Sequence, residues 1–526
     1  MSKLSSWEFG AVVGALIAAG YLYRTRQPGP YPLPPGPKKL PLIGNLLDMP
    51  STYAWKVWAE WGKIYNTDIL HLEVPGQSII ILNSYDAAKE LLERRSAIYS
   101  SRPASVMLQE LSGFGFQFGL MPYGELWRAR RRLFKKHFNL SNSSVLHQPQ
   151  EAKYLHRLLH QLLERPNELI SLLNHMTGAI SISMTYGVDI LPENDPNLAI
   201  SRMASQTIKD CLVAGSAIVD MMPSLKYLPT WVPGTKFHKV AAKSRAHASK
   251  LRDGIFENAY KKWSTRNNPN PSFVSLCLEN YANEDDEEYM SALKDVAGNV
   301  YMGKSPASDS TCAAMETFIL AMTCYPEIQK RAQRELDEVV GKDRLPSHSD
   351  EPYLPYLTAI VKETFRWQSI VPGGVPHTST AADVYKGYCI PSGSTVFFNT
   401  WAMLNDENDY PNPQEFRPER FLTSDGKLRR DDGVRDPADI IFGFGRRVCP
   451  GVHIGISVIW MTAASLLTVF DIEKALDADG HPITPSCEYD SGAVSHPLPF
   501  DCTIKPRSRE AVRLVQEINE AAEGTD

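Results

Sequence analysis

Apolar residues recur every three to four positions in three stretches of the chain, residues 126–138, 293–340 and 356–367, and this spacing predicts helices. Two short runs have the opposite character. Residues 78–82 (SIIIL) and 395–399 (TVFFN) are β-branched and aromatic, which predicts strands. Residues 452–470 are mostly apolar and predict a buried helix. The acid-rich stretch 280–288 predicts a solvated loop. No repeat interrupts the pattern, and no break beyond residue 50 is long enough to mark a domain boundary. The expectation is one large domain over residues 51–526, mainly α with a small β region.

The amino-terminal pattern differs. Residues 9–23 (FGAVVGALIAAGYLY) carry no charge, and with Trp7 and Glu8 the stretch approaches the lower limit for a spanning helix, roughly 17 residues. Trp7, Tyr21 and Tyr23 would sit at the two membrane interfaces. A cleaved signal peptide is the other reading, but only Lys3 leads the run and the acidic Glu8 follows it. Arg24, Arg26, Lys38 and Lys39 come after the run, which places the bulk of the chain in the cytosol. Residues 1–26 are therefore expected to form a single-pass anchor. Residues 27–50 open with QPGPYPLPPGPKKLP, a stiff proline-rich hinge or an ordinary linker.

Composition narrows the function. The 526 residues are 43% apolar, ample for a core, and the net charge of −5 leaves no basic field suited to nucleic acid. The eight cysteines are scattered without a CxxC pair, so zinc and iron–sulfur readings lack support. Sparse thiols of this kind fit a reducing compartment.

One cysteine stands apart. Residues 442–451 read FGFGRRVCPG and set Cys449 in a glycine-rich loop beside two arginines, directly before the apolar run. The glycines allow a tight turn whose N–H groups can face sulfur, and Pro450 and Gly451 suit a helix start whose dipole favours a thiolate. A Cys-Pro-Gly turn alone is unremarkable, but Phe442-x-x-Gly445-x-Arg447-x-Cys449-x-Gly451 fixes five residue types at set spacing. It resembles the heme-binding signature of the cytochrome P-450 superfamily. The resemblance covers nearly the whole chain. The segments NTDILHL, YPEIQKRAQRELDEVVG and NTWAMLNDENDYPNPQEFRPERF are most similar to microsomal members of basidiomycete fungi, often found in secondary metabolism.

The resemblance implies a heme b cofactor ligated axially by Cys449, with propionates held by Trp127, Arg131, His377 and Arg447. It implies a structural triad of Glu363 and Arg366, one face of a helix, with Arg420. Substrate would meet Phe114, Phe116, Phe118, Val375 and Val494, although the three phenylalanines read equally well as a buried strand or loop core. Residues 225–232 fall where the family dips a loop into lipid.

For proton delivery, the resemblance aligns Asp309 with the family's distal acid. Ser310 takes the usual threonine position and Thr311 follows. The sequence departs from the family at Gly303-Lys304-Ser305-Pro306, an apparent insertion, and Ala307 replaces the usual glycine. Asp309 also reads as a helix N-cap after a break at Pro306.

The implied function is a heme-thiolate monooxygenase of the endoplasmic reticulum membrane, with its catalytic domain cytosolic. It would draw electrons from NADPH through a separate cytochrome reductase flavoprotein and use O2 to hydroxylate a hydrophobic small molecule. An oxygen-independent isomerase or dehydratase of the same fold, and a non-catalytic heme binder, are the alternatives.

Overall fold

The computed structural model describes residues 30–212, 219–220, 222–265, 271–279, 286–302, 306–429 and 433–523. The expected anchor at residues 1–26 and the departure at Gly303, Lys304 and Ser305 lie outside the described residues. The described chain is mainly helical with small sheets and divides into two compact units.

The smaller unit takes residues up to 103 and residues 373–402. Strands β1 (Ile69–Val74) and β2 (Gln77–Leu82) pair antiparallel across a turn in which Gly76 supplies a φ of +81°. Three more strands follow later in the chain: β3 (His377–Thr378), then the hairpin β4 (Asp383–Tyr385) and β5 (Tyr388–Ile390). Strand β6 (Thr395–Phe398) joins β2 in parallel and β3 antiparallel, giving the order β1-β2-β6-β3. Ile79, Ile80, Ile81 and Leu82 are all buried, so β2 is covered on both faces, and this is why it reads as a continuous apolar run. Helix α1 (Ala54–Ile64) lays Trp55 and Trp58 onto Leu70, Leu72, Val74, Ile79 and Ile81.

The larger unit, residues 104–372 and 403–526, carries most of the remaining helices. Those used below are α2 (Glu125–His137), α3 (Gln148–Glu164), α4 (Leu169–Tyr186), α5 (Pro196–Leu212), α6 (Glu287–Tyr301), α7 (Pro306–Cys324), α8 (Pro326–Val339), α9 (Pro355–Trp367) and α10 (Val452–Val469). A two-stranded sheet pairs β7 (Phe470–Lys474) with β8 (Cys502–Pro506). The stretch 293–340, one run by apolar spacing, is three helices. Pro306 and Pro326 lack an N–H and each opens a new helix instead of extending the one before.

Helix α10 is apolar on every face, and all residues from Val458 to Val469 are buried. By length and composition it is the one helix among the described residues that could cross a membrane. It packs against α3, α7, α8 and α9 as a core helix, and the Trp460 indole N–H donates to Thr358 Oγ1 of α9 at 3.0 Å. This burial fixes the direction in which the Cys449 loop enters the unit.

Candidate active site

Residues 442–451 turn tightly between the short helix Ala438–Ile441 and α10. Gly443 (φ +78°) and Gly445 (φ +57°) take left-handed conformations that a side chain would strain. The Cys449 N–H then donates to the Phe442 carbonyl at 2.7 Å, which folds the loop back on itself. Phe442 packs edge-on against Phe365 of α9, with ring centroids 5.8 Å apart. Burial pushes the Cys449 thiol up, while the Gly451 N–H and the Arg131 guanidinium pull it toward the thiolate.

Helix α2 brings cations to this loop. Trp127 and Arg131 lie one turn apart, and the Arg131 Nη2 donates to the Val448 carbonyl at 2.5 Å. The Arg447 guanidinium lies 4.5 Å from the Trp127 ring centroid and donates to the carbonyls of Phe118 (3.2 Å) and Met121 (2.7 Å). Burial, then repulsion from Arg131, lowers Arg447 to about 10. Two guanidiniums that repel each other in a poorly hydrated site favour the approach of an anion.

On α9, Glu363 receives the Arg366 Nη2 at 2.6 Å and the Arg420 Nε at 3.0 Å, and it also accepts the Arg417 backbone N–H at 2.9 Å. Arg366 donates further to the carbonyls of Pro413 and Glu415, so this cluster fastens the segment before Arg420 onto α9.

Asp309 lies in the first turn of α7, three residues after the Pro306 that opens the helix. Its carboxylate faces the His496 Nε2 at 3.4 Å and the Lys209 Nζ of α5 at 3.6 Å. Burial alone would raise the Asp309 carboxyl, but His496 and Lys209 hold it below its usual range. Ser310 and Thr311 follow on the same turn and are half-buried.

Comparison with known proteins settles the family. The profile of the cytochrome P-450 family matches residues 34–504. The chain belongs to the cytochrome P-450 family. It is 49% identical to cytochrome P-450 monooxygenase ple1 of Rhodocybe pseudopiperita, over 96% of this chain and 95% of that one. It is 41% identical to the tryptamine 4-monooxygenase of Psilocybe cyanescens, over 95% and 98%. It is also 41% identical to cytochrome P-450 monooxygenase 98 of Postia placenta, over 96% of each chain. The chain is accordingly a heme-thiolate monooxygenase. The residues around Cys449 fit heme: a thiol whose ionisation a neighbouring N–H and guanidinium favour suits the iron, and the mutually repelling Arg131 and Arg447 suit two propionates.

In this cytochrome P-450 the larger unit gathers Trp127, Arg131, Arg447 and Cys449. His377 and Val375 belong to the smaller unit. The buried His377 holds its Nδ1 2.6 Å from the Tyr99 carbonyl, and Val375 offers its own carbonyl to Arg102 at 2.7 Å. Phe114, Phe116 and Phe118 are all buried. Phe114 and Phe116 form a single 3₁₀ turn, Phe116 closes over Gly298 of α6, and Phe118 meets Phe134 edge-on at 6.0 Å. Val494 is half-buried in the carboxy-terminal turn. Tyr227 and Trp231 are about four-fifths exposed, at 80% and 81%. Sequence reasoning missed Lys209, which faces Asp309, and Glu316, which shares His496 with Asp309. The one signal for Glu316 was its place seven residues after Asp309, on the same helix face.

Proposed function

We propose that this enzyme inserts one oxygen atom from O2 into a hydrophobic small molecule of fungal secondary metabolism, of aromatic, indole, terpenoid or polyketide type. The observation that carries the reading is the Cys449 loop, with the Gly451 N–H at the sulfur and the Arg131 guanidinium beside it. Bound heme supplies the iron on which O2 is activated. Cys449 would hold that iron through its thiolate. Trp127, Arg131 and Arg447 would hold the propionates, a role that the family resemblance also gives to His377. Glu363, Arg366 and Arg420 keep the proximal segment rigid. At the distal side Asp309 holds a proton-accepting carboxylate, and the Ser310 and Thr311 hydroxyls pass protons inward from it. Phe114, Phe116, Phe118 and Val494 would line the substrate pocket, a role that the family resemblance also gives to Val375.

The same reading assigns residues 1–26 to a single-pass anchor in the endoplasmic reticulum membrane and 27–50 to the hinge, with the catalytic domain over 51–526 facing the cytosol. Exposed Tyr227 and Trp231 suit insertion into lipid, which would admit substrate from the bilayer. The exposed Arg132, Lys135 and Lys136 of α2 offer a cationic face to an acidic NADPH–cytochrome reductase flavoprotein. The test is reconstitution in lipid vesicles with reductase and NADPH, on a panel that includes indole amines because one relative is named for tryptamine oxidation. Products heavier by one oxygen atom, formed only with NADPH and O2, support the reading. Isomerisation or dehydration of a peroxide substrate, with no product that depends on NADPH, overturns it.

A further inference from the structure

The segment from Cys487 to His496 runs along α7 in the reverse direction. Cys487 Sγ lies 3.5 Å from Cys324 Sγ at the far end of the helix, and the Tyr489 hydroxyl donates to Thr317 Oγ1 at 3.0 Å. His496 then meets Glu316 through Nδ1 at 2.8 Å and Asp309 through Nε2 at 3.4 Å. The turn fixes His496 from its own side as well. Its backbone N–H donates to Asp490 Oδ1 at 3.2 Å, and the Ser495 N–H donates to the Ile370 carbonyl at 2.9 Å.

Asp309 and Glu316 are about 10 Å apart along the helix axis, on one face. A single imidazole therefore spans two carboxylates. A neutral imidazole donates from one nitrogen only, so both contacts are donor contacts only in the imidazolium. The ionisable groups around it are Asp309 and Glu316 on α7, Lys209 on α5 reaching Asp309, and Tyr489 and Asp490 in the turn itself. Burial opposes the charge on His496, yet the hydrogen bonds it donates to Asp309 and Glu316 raise the imidazole to about 10.

We propose that His496, bridging Asp309 and Glu316, is a positioning residue for oxygen activation: it keeps the distal carboxylate anionic and aimed at the carboxy-terminal turn, and its loss diverts reducing equivalents to hydrogen peroxide. The inference rests on the assignment of Asp309 as the distal acid. His496 touches neither substrate nor cofactor in this scheme and acts through Asp309 alone. A proton that Asp309 takes up arrives from water, and His496 keeps its own.

The test uses the full-length, heme-loaded protein in lipid nanodiscs with reductase and NADPH and no added substrate. The readout is hydrogen peroxide released per NADPH consumed. His496→Gln is expected to raise this ratio at least about twofold, and the double variant with Asp309→Asn to match Asp309→Asn alone, the non-additivity of residues that act as one unit. A second readout needs no turnover. The raised imidazole stabilises the fold fully below its unfolded value, and this contribution is lost as pH rises through the folded value of about 10. The gap in melting temperature between wild type and His496→Gln should therefore be wide at pH 6 and narrow as pH approaches 10. Equal peroxide ratios, additive effects in the double variant, or a gap independent of pH would overturn the proposal. A wild type that shows no thiolate-ligated heme would instead overturn the reading of Cys449.

Discussion

Arg420 donates from Nε to both carboxylate oxygens of Glu363, at 3.0 and 3.2 Å, although the two residues are 57 positions apart in the chain. Glu363 and Arg366 are wholly enclosed, and Arg420 is nearly so. Such a cluster is stable only while every charge keeps its partners, because each ion left behind would stay desolvated.

Replacing Glu363 with Gln strands two guanidiniums. The expected loss is about 3–5 kcal/mol of folding stability, read from the denaturant midpoint of the heme-loaded protein. A loss below about 1 kcal/mol would mean that water reaches the cluster.

Retention of heme should depend on Arg447 more than on any surface arginine. Arg447→Ala removes a charge-assisted donor and its packing on Trp127, and it is expected to speed heme loss by roughly ten- to a hundredfold, the equivalent of about 1.5–3 kcal/mol. Transfer of heme to excess apomyoglobin measures the rate. Arg128→Ala, a variant on the same helix whose side chain pairs with Glu125, should leave that rate unchanged.

A pH dependence follows from Glu151 on α3. Burial alone would raise this carboxyl, but His147 and His348, the latter at 3.1 Å, hold it below its usual range, while the hydrogen bond to Glu151 raises His348. The depressed carboxyl stabilises the fold above its unfolded value, about 4.3, and loses that effect as pH falls through its folded value. The raised imidazole stabilises the fold below its unfolded value, about 6.5, and loses that effect as pH rises through its folded value. The contact is therefore strongest between those two values. His348→Gln should flatten the melting temperature across that window and converge with wild type in alkali, by calorimetry at stepped pH.

The parts of the candidate site that the sequence displays are those whose chemistry is local. The Cys449 loop, the Trp127–Arg131 turn and the Glu363–Arg366 face are each written within one short segment. What was not legible depends on distance along the chain. The sequence names Asp309 and also holds His496, but only the reversed run of residues 487–496 along α7 brings them together. The stretch 293–340 kept its helical spacing through two proline breaks, because apolar periodicity reports which face is buried and is blind to a missing N–H. The alternating phenylalanines of 114–118 left pocket lining, buried strand and loop core open. In the structure Gly113 at φ +78° and a 3₁₀ turn fold them inward, where they pack against α2 and α6.

The most direct measurement is the carbon monoxide difference spectrum of the reduced protein, wild type beside Cys449→Ser. Wild type is expected to show the red-shifted Soret band of thiolate-ligated heme, and the serine variant to lose that band while Arg447→Lys keeps it. A Cys449→Ser protein that still shows the red-shifted band would contradict ligation by Cys449.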